Sequence, residues 1–175
     1  ASSHRMGAEL NASWKICPML RWDLAGAVSQ NQIKQYHLYA WSDQAGDEVL
    51  TTYDRTPIAY SPQLVLSNTL TFAHRAFEAA LTSQYVGMQY LDNTGSRERS
   101  LPAYHVASLR LGYELPVHFV RSWSISLQVN NLFDARYSSN GGAGYTFDKK
   151  GAISSYTWIY PQAGIHAFLG TTITI

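Results

Sequence analysis

The feature that most limits what this chain can become is a repeated two-faced segment whose connections alternate in length. Trp123, Ile125, Leu127 and Val129 take every second place, with Ser124, Ser126, Gln128 and Asn130 between them, which is the period of a strand with one apolar and one polar face. The period returns in Ile165, Ala167, Leu169, Thr171, Ile173 and Ile175. Followed along the chain it predicts seven strands, at about 4–15, 20–35, 62–72, 77–90, 103–114, 123–137 and 162–175. The connections at 16–19, 73–76 and 115–122 are short, whereas those at about 36–61, 91–102 and 138–161 are long and rich in Gly, Ser, Asp, Asn and Tyr. Strict alternation places every long connection at one end of the sheet. A soluble sandwich gives no reason for this, but an outer-membrane barrel requires it, with short turns on one side and long loops on the other. Strands of roughly ten residues at ~3.3 Å each, tilted by about 45°, also cover the ~25 Å apolar band of such a barrel.

Composition narrows the choice. Charged residues are only 14% of the 175, while 12 Tyr and 5 Trp exceed what a core of this size needs. A formal net charge of +1 without any Lys/Arg run excludes a nucleic-acid surface, which works through a basic stripe. No stretch approaches the ~18 apolar residues of a membrane helix, and Ala1 opens no signal-peptide pattern, so a membrane role requires strands. The single Cys17, beside Pro18, has no internal partner and says nothing of redox compartment.

The faces sort consistently. Met6, Ala8, Leu10, Ala12 and Trp14 share one side of the first strand, and Leu20, Trp22, Leu24 and Val28 one side of the second. With that side toward lipid, Glu9, Arg21, Asp23, Glu78, Arg110 and Gln128 face a polar lumen. Trp14, Trp22, Phe72, Phe77, Tyr113 and Trp123 fall beside the short turns as an aromatic girdle, and Tyr85, Phe133 and Tyr137 are candidates for the opposite girdle. Asn68 is the exception, a polar residue on the lipid side. Asp134 and Arg136, two apart on the lumen side, are close enough in sequence to pair there and read as structural residues that stiffen the barrel.

The run Ser126-Leu127-Gln128-Val129-Asn130-Asn131-Leu132-Phe133-Asp134-Ala135-Arg136-Tyr137, then Tyr160-Pro161-Gln162-Ala163-Gly164 and the terminal Leu169-Gly170-Thr171-Thr172-Ile173-Thr174-Ile175, resembles the C-terminal end of TonB-dependent outer-membrane receptors. Tyr60-Ser61-Pro62, Tyr85 to Asn93 and Leu109-Arg110-Leu111-Gly112-Tyr113 are similar to the same family. The resemblance implies an all-β, antiparallel transmembrane β-barrel segment. Its roughly seven strands would form the C-terminal third of a barrel of about 22 strands. Residues 1–175 would be one part of a single barrel domain, with the plug domain and the N-terminal strands outside the chain. An odd strand count with the two ends on opposite sides agrees with a fragment. The implied partners are outer-membrane lipid, the TonB energy-transducing complex acting through the plug, the barrel-assembly machinery and a transported small-molecule ligand. Gly170, Ile173 and Ile175 belong to the implied assembly signal, Ile175 standing where the family usually has an aromatic.

The implied function is energised import of a large scarce solute, foremost a ferric siderophore or similar iron complex, with no chemical transformation, no enzyme activity and no cofactor. Aromatic faces suit planar chelates and rings, which makes Tyr36, Tyr39, Trp41, Tyr53, Tyr145, Trp158 and Tyr160 the candidate ligand-binding residues in the outer loops, alongside Tyr156. The bland alternative is that they pack the loops. Histidines at 4, 37, 74, 105, 118 and 166 share no metal-ligand spacing. His37 with Asp43, Asp47 and Glu48 reads as a solvated cluster rather than an iron contact, and Gly141-Gly142-Ala143-Gly144 as a flexible loop tip. A glycan importer of the same fold, a passive porin-like channel and a soluble β-sandwich adhesin remain open.

Overall fold

A computed structural model describes residues 1–42, 46–147 and 153–175. Twelve strands form among these described residues: β1 Ser2–Cys17, β2 Leu20–Ser42, β3 Asp47–Pro57, β4 Leu64–His74, β5 Phe77–Val86, β6 Gln89–Tyr90, β7 Ser100–Leu101, β8 Tyr104–Glu114, β9 Ser122–Asn130, β10 Ser138–Phe147, β11 Ile153–Pro161 and β12 His166–Thr174. Seven of them make an antiparallel meander in the order β1-β2-β4-β5-β8-β9-β12, the seven strands expected from the sequence pattern. Arg75, at a φ of 54°, makes the tight β4–β5 turn.

Register shows why the alternation was so clean. Residues opposite each other in an antiparallel pair share a face, so rows can be followed across the sheet. Trp14, Trp22, Leu70, Leu81, Leu109, Val129 and Ala167 form one such row, and Leu20, Phe72, Ala79, Leu111, Leu127 and Leu169 another. On the reverse face run Lys15, Arg21, Thr71, Ala80, Arg110 and Gln128, with Ser13, Asp23, Thr69, Thr82 and Ser108 beside them. Glu9 and Glu78 belong to this polar face too. Arg21 is paired with Asp23 and Arg110 with Glu78 there. All six turn-side aromatics lie on the apolar face, where Phe72 and Phe77 sit 6.3 Å apart and Trp123 donates its indole N–H to Thr171 at 2.7 Å. Among the described residues nothing covers the ends of that face, where Met6 is 62% exposed and Leu169 78%.

Four expectations change. β5 stops at Val86 and β9 at Asn130 rather than at 90 and 137. The long connections are not irregular loops, because they hold the upper half of β2 with β3, the β6–β7 ladder with a 3₁₀ turn at Arg97–Arg99, and the β10–β11 hairpin. Asn131 and Asp134 both take positive φ, 50° each, which breaks the alternation after β9. Phe133 still stacks on His105 of the apolar face, but Tyr137 swings to the other side and packs 4.5 Å from Tyr104, so it is no part of an outer girdle. Asp134 and Arg136 do not pair either, since Asp134 Oδ1 accepts the Ile165 N–H at 2.9 Å and caps the entry to β12. Asn68 acquires a context: it faces Ser83 across β4–β5, and the Ser83 hydroxyl lies 2.6 Å from His105 Nε2, giving a polar track that crosses the apolar face.

Candidate functional site

The long connections gather at one end of the meander, and side chains hold them to one another. Gln35, at a φ of 51°, re-aims β2 as it leaves the sheet. Beyond it Leu38 and Ser42 are buried and Tyr36 half-buried, while His37, Tyr39 and Trp41 point the other way and are exposed. Tyr36 meets Tyr53 of β3 at a ring separation of 6.1 Å.

The second connection supplies the fastening. The cluster Asp92-Asn93-Thr94-Gly95 is turn-forming by composition, and Asp92 Oδ1 closes an Asx turn by accepting the Thr94 N–H at 2.7 Å and its hydroxyl at 2.5 Å. Gly95 takes a φ of 73° close against Pro57, where a β-carbon would collide with the proline ring. Asn93 receives the Thr56 hydroxyl on its carbonyl at 2.6 Å and the Ala59 N–H on its side chain at 2.7 Å, tying the first connection to the second. Tyr60 donates its hydroxyl to the Gly141 carbonyl at 2.7 Å, tying the first to the third.

Arg99 joins the second to the third. It is only 7% exposed. Its guanidinium donates to Asp92 Oδ2 at 2.6 Å, to the Thr94 hydroxyl at 2.6 Å and to Ser155 of β11 at 3.0 Å, and its cation lies 5.1 Å from the Tyr145 ring centroid of β10. A buried charge survives only when paired and hydrogen-bonded, and this fork meets both conditions. Burial works against the Asp92 charge, but hydrogen bonds from Thr94, Tyr145 and Arg99 outweigh it and hold the carboxyl below its usual range. Burial and the Asp92 charge push the Tyr145 phenol well up, and burial does the same to Tyr53.

The third connection carries an aromatic ladder. Tyr156, Trp158 and Tyr160 alternate on one face of β11, opposite Gly144, Gly142 and Asn140 of β10. A β-carbon at Gly142 would land on the Trp158 ring and one at Gly144 on the Tyr156 ring. The glycines are therefore strand residues that seat aromatic rings, not a flexible tip. Tyr156 and Trp158 stand 5.9 Å apart and remain largely open to solvent.

The seven candidate ligand residues thus divide. Tyr36, Tyr53 and Tyr145 turn into the Asp92–Arg99 centre, whereas Tyr39, Trp41, Trp158 and Tyr160 lie at the surface, each 44–60% exposed. His37 touches Thr52 at 3.0 Å, and Asp43 lies outside the described residues. No group of three or more metal-ligating side chains assembles among the described residues. Gly170 sits opposite Ser126 on the polar face, Ile173 opposite Trp123 on the apolar face, and Ile175 follows the end of β12, fully exposed. Arg99, Asp92, Asn93 and Tyr60 were not singled out from the sequence as site residues. Only the turn composition at 92–95 signals them, because Arg97-Glu98-Arg99 reads as an ordinary solvated charge run.

Comparison with known proteins agrees with this architecture. Residues 1–132 match the family model described as TonB dependent receptor-like, beta-barrel. The pesticin receptor of Yersinia pestis is 26% identical over 137 residues, which is 77% of this chain and 18% of that protein. Among solved structures, the siderophore receptor PiuA from Acinetobacter baumannii superposes with a TM-score of 0.72 at 15% identity, covering 97% of this chain and 21% of that one. The ferric yersiniabactin uptake receptor FyuA from Yersinia pestis gives 0.62 at 21% identity, covering 97% and 23%. The closed form of the ferric-catecholate import receptor Fiu from E. coli K12 gives 0.63 at 20% identity, covering 97% and 20%. The chain spans about a fifth of the length of these relatives. With a family model matched over most of its length and the one-faced meander that such barrels are made of, the chain belongs to the TonB-dependent receptor β-barrel family.

Proposed function

We propose that this chain is the C-terminal part of the barrel of an outer-membrane receptor that imports an iron complex, foremost a ferric siderophore, with energy delivered by TonB through a plug domain outside these 175 residues. The observation that carries the reading is the one-faced seven-strand meander with all three long connections knitted at one end, in a chain of this family. The apolar face meets outer-membrane lipid and the polar face lines the lumen. Siderophore receptors recur among the proteins of like fold and favour iron complexes over glycans. The chain's share of the work is binding and positioning: Tyr39, Trp41, Trp158 and Tyr160 offer aromatic faces to the cargo, and no bond in it is made or broken. Gly170 and Ile173 lie on β12 and Ile175 just past its end, the segment that the assembly machinery would read.

The test is uptake by cells carrying the full receptor, with iron-55 complexes of catecholate and hydroxamate siderophores in one arm and maltodextrins in the other. Iron uptake that stops on loss of TonB supports the reading. Glycan uptake alone moves the chain to the glycan importers, and uptake indifferent to TonB makes it a passive channel.

A further inference from the structure

Among the described residues, the hydrogen bonds and the cation–ring contact that join the second and third connections pass through Arg99 or through its partner Asp92. The three donor contacts of Arg99 reach two different connections, and Tyr145 and Ser155 are register partners on β10 and β11. Holding both means holding the hairpin on both strands. Ser155 and Tyr156 are neighbours in one strand, so fixing Ser155 on one face fixes the ladder of Tyr156, Trp158 and Tyr160 on the other. Asn93 and Tyr60 extend the same body to β3.

From this geometry we infer that Arg99 is a positioning residue: it pins the second and third outer connections to one another, the first being tied on by Asn93 and Tyr60, and thereby sets where the Tyr156–Trp158–Tyr160 ladder stands over the barrel mouth. The inference rests on the receptor reading only for its consequence in binding; the mechanical part stands without it. A guanidinium is needed because three acceptors in different directions match its planar fork, which a lysine's single ammonium cannot reach together.

The experiment is hydrogen exchange on the full receptor carrying Arg99→Gln, Arg99→Lys, Ser155→Ala or Tyr145→Phe. Arg99→Gln is expected to raise exchange tenfold or more in 138–147 and 153–161 as well as in 91–99, while β4, β5 and β8 keep wild-type protection. Arg99→Lys retains the Asp92 pair and loosens the hairpin more than residues 91–99. Should Arg99→Gln fail to assemble, Ser155→Ala and Tyr145→Phe loosen the hairpin alone. Exchange confined to 91–99, or a hairpin at wild-type protection in Arg99→Lys, overturns the inference. A second readout uses ferric tris(2,3-dihydroxybenzoate) as the probe. Arg99→Gln and Trp158→Ala are each expected to weaken half-saturation fivefold or more at unchanged maximal uptake, and the double variant to be no worse than Trp158→Ala. If Trp158→Ala binds normally, the ligand role of the ladder fails while the pin stands; if only Arg99→Gln binds normally, the positioning role fails.

Discussion

Placing a cation at Leu81 is the sharpest test of which face meets lipid. Leu81 lies in the row Trp22, Leu70, Leu81, Leu109, Val129. It is four residues beyond Phe77 of the turn-side girdle. At ~3.4 Å per residue and a tilt of about 45°, four residues rise about 10 Å, close to the middle of a ~25 Å apolar band. An arginine at that depth costs roughly 2–4 kcal/mol, which at ~1.4 kcal/mol per decade shifts the folding equilibrium by about thirty- to about seven-hundredfold. Gln84, three residues on in the same strand, is exposed on the polar face opposite Ser67 and Val106. There an arginine is expected to cost ~0.5 kcal/mol or less, as at an ordinary wetted surface. The assay compares Leu81→Arg and Gln84→Arg in the full receptor in lipid vesicles, by urea midpoint on tryptophan fluorescence and by the fraction resisting unfolding in cold detergent gels. Equal losses in the two variants, or a greater loss in Gln84→Arg, refute the assignment of faces.

Other consequences follow from the outer connections. Gly142→Ala drives a methyl into the Trp158 ring. The strained packing is expected to cost about 1–3 kcal/mol locally and to raise acrylamide quenching of Trp158 in a receptor whose other tryptophans are replaced by phenylalanine. Asn93→Ala strands the Ala59 N–H, at a cost of about 1–3 kcal/mol, and protease cutting near 57–60 should accelerate while cutting within the meander does not. For pH, a depressed Asp92 carboxyl stabilises above its unfolded value of 3.8 and loses that contribution as pH falls through its lower folded value. A raised Tyr145 phenol stabilises below its unfolded value of 10.0 and loses that contribution as pH climbs past it. Pin protection, read from exchange rates corrected for intrinsic chemistry, should therefore be flat between these limits and fall outside them.

The meander was legible because its face residues have no choice. Where one side is apolar over a whole strand, a slip of one residue inverts every side chain, so the sequence must declare the register residue by residue, as Trp123 to Val129 do. The outer hairpins were illegible for a related reason. In β10 the glycines place no side chain of their own on the shared face, and the residues filling it stand more than ten positions away on β11. A period search along one strand sees only a glycine cluster. The swing of Tyr137 was equally hidden, since Asn131 and Asp134 adopt left-handed backbone that asparagine and aspartate merely tolerate. Arg99 was missed because its partners, Ser155 and Tyr145, come from a different connection, and nothing in Arg97-Glu98-Arg99 distinguishes a buried arginine from a solvated one.

The distribution of burial ties these observations to function. Leu38, Leu91 and Leu101 are buried, and with Ser42, Thr56 and Arg99 they lie in or beside the outer connections. On the proposed reading the meander has one face for lipid and one for the lumen, and among the described residues its apolar face is open. Its strands would then be held by ladder hydrogen bonds and by the apolar medium. The connections, by contrast, would stand in water and must supply their own cohesion, which they do in part with a polar centre of Arg99 and its four partners, Asp92, Thr94, Tyr145 and Ser155. A small centre of that kind is lost as a unit, because removing Asp92 leaves the buried Arg99 charge uncompensated and weakens the rest. On the proposed reading the wall and the mouth are thus stabilised separately, and a change at Arg99 is expected to shift the aromatic ladder while the meander stays assembled.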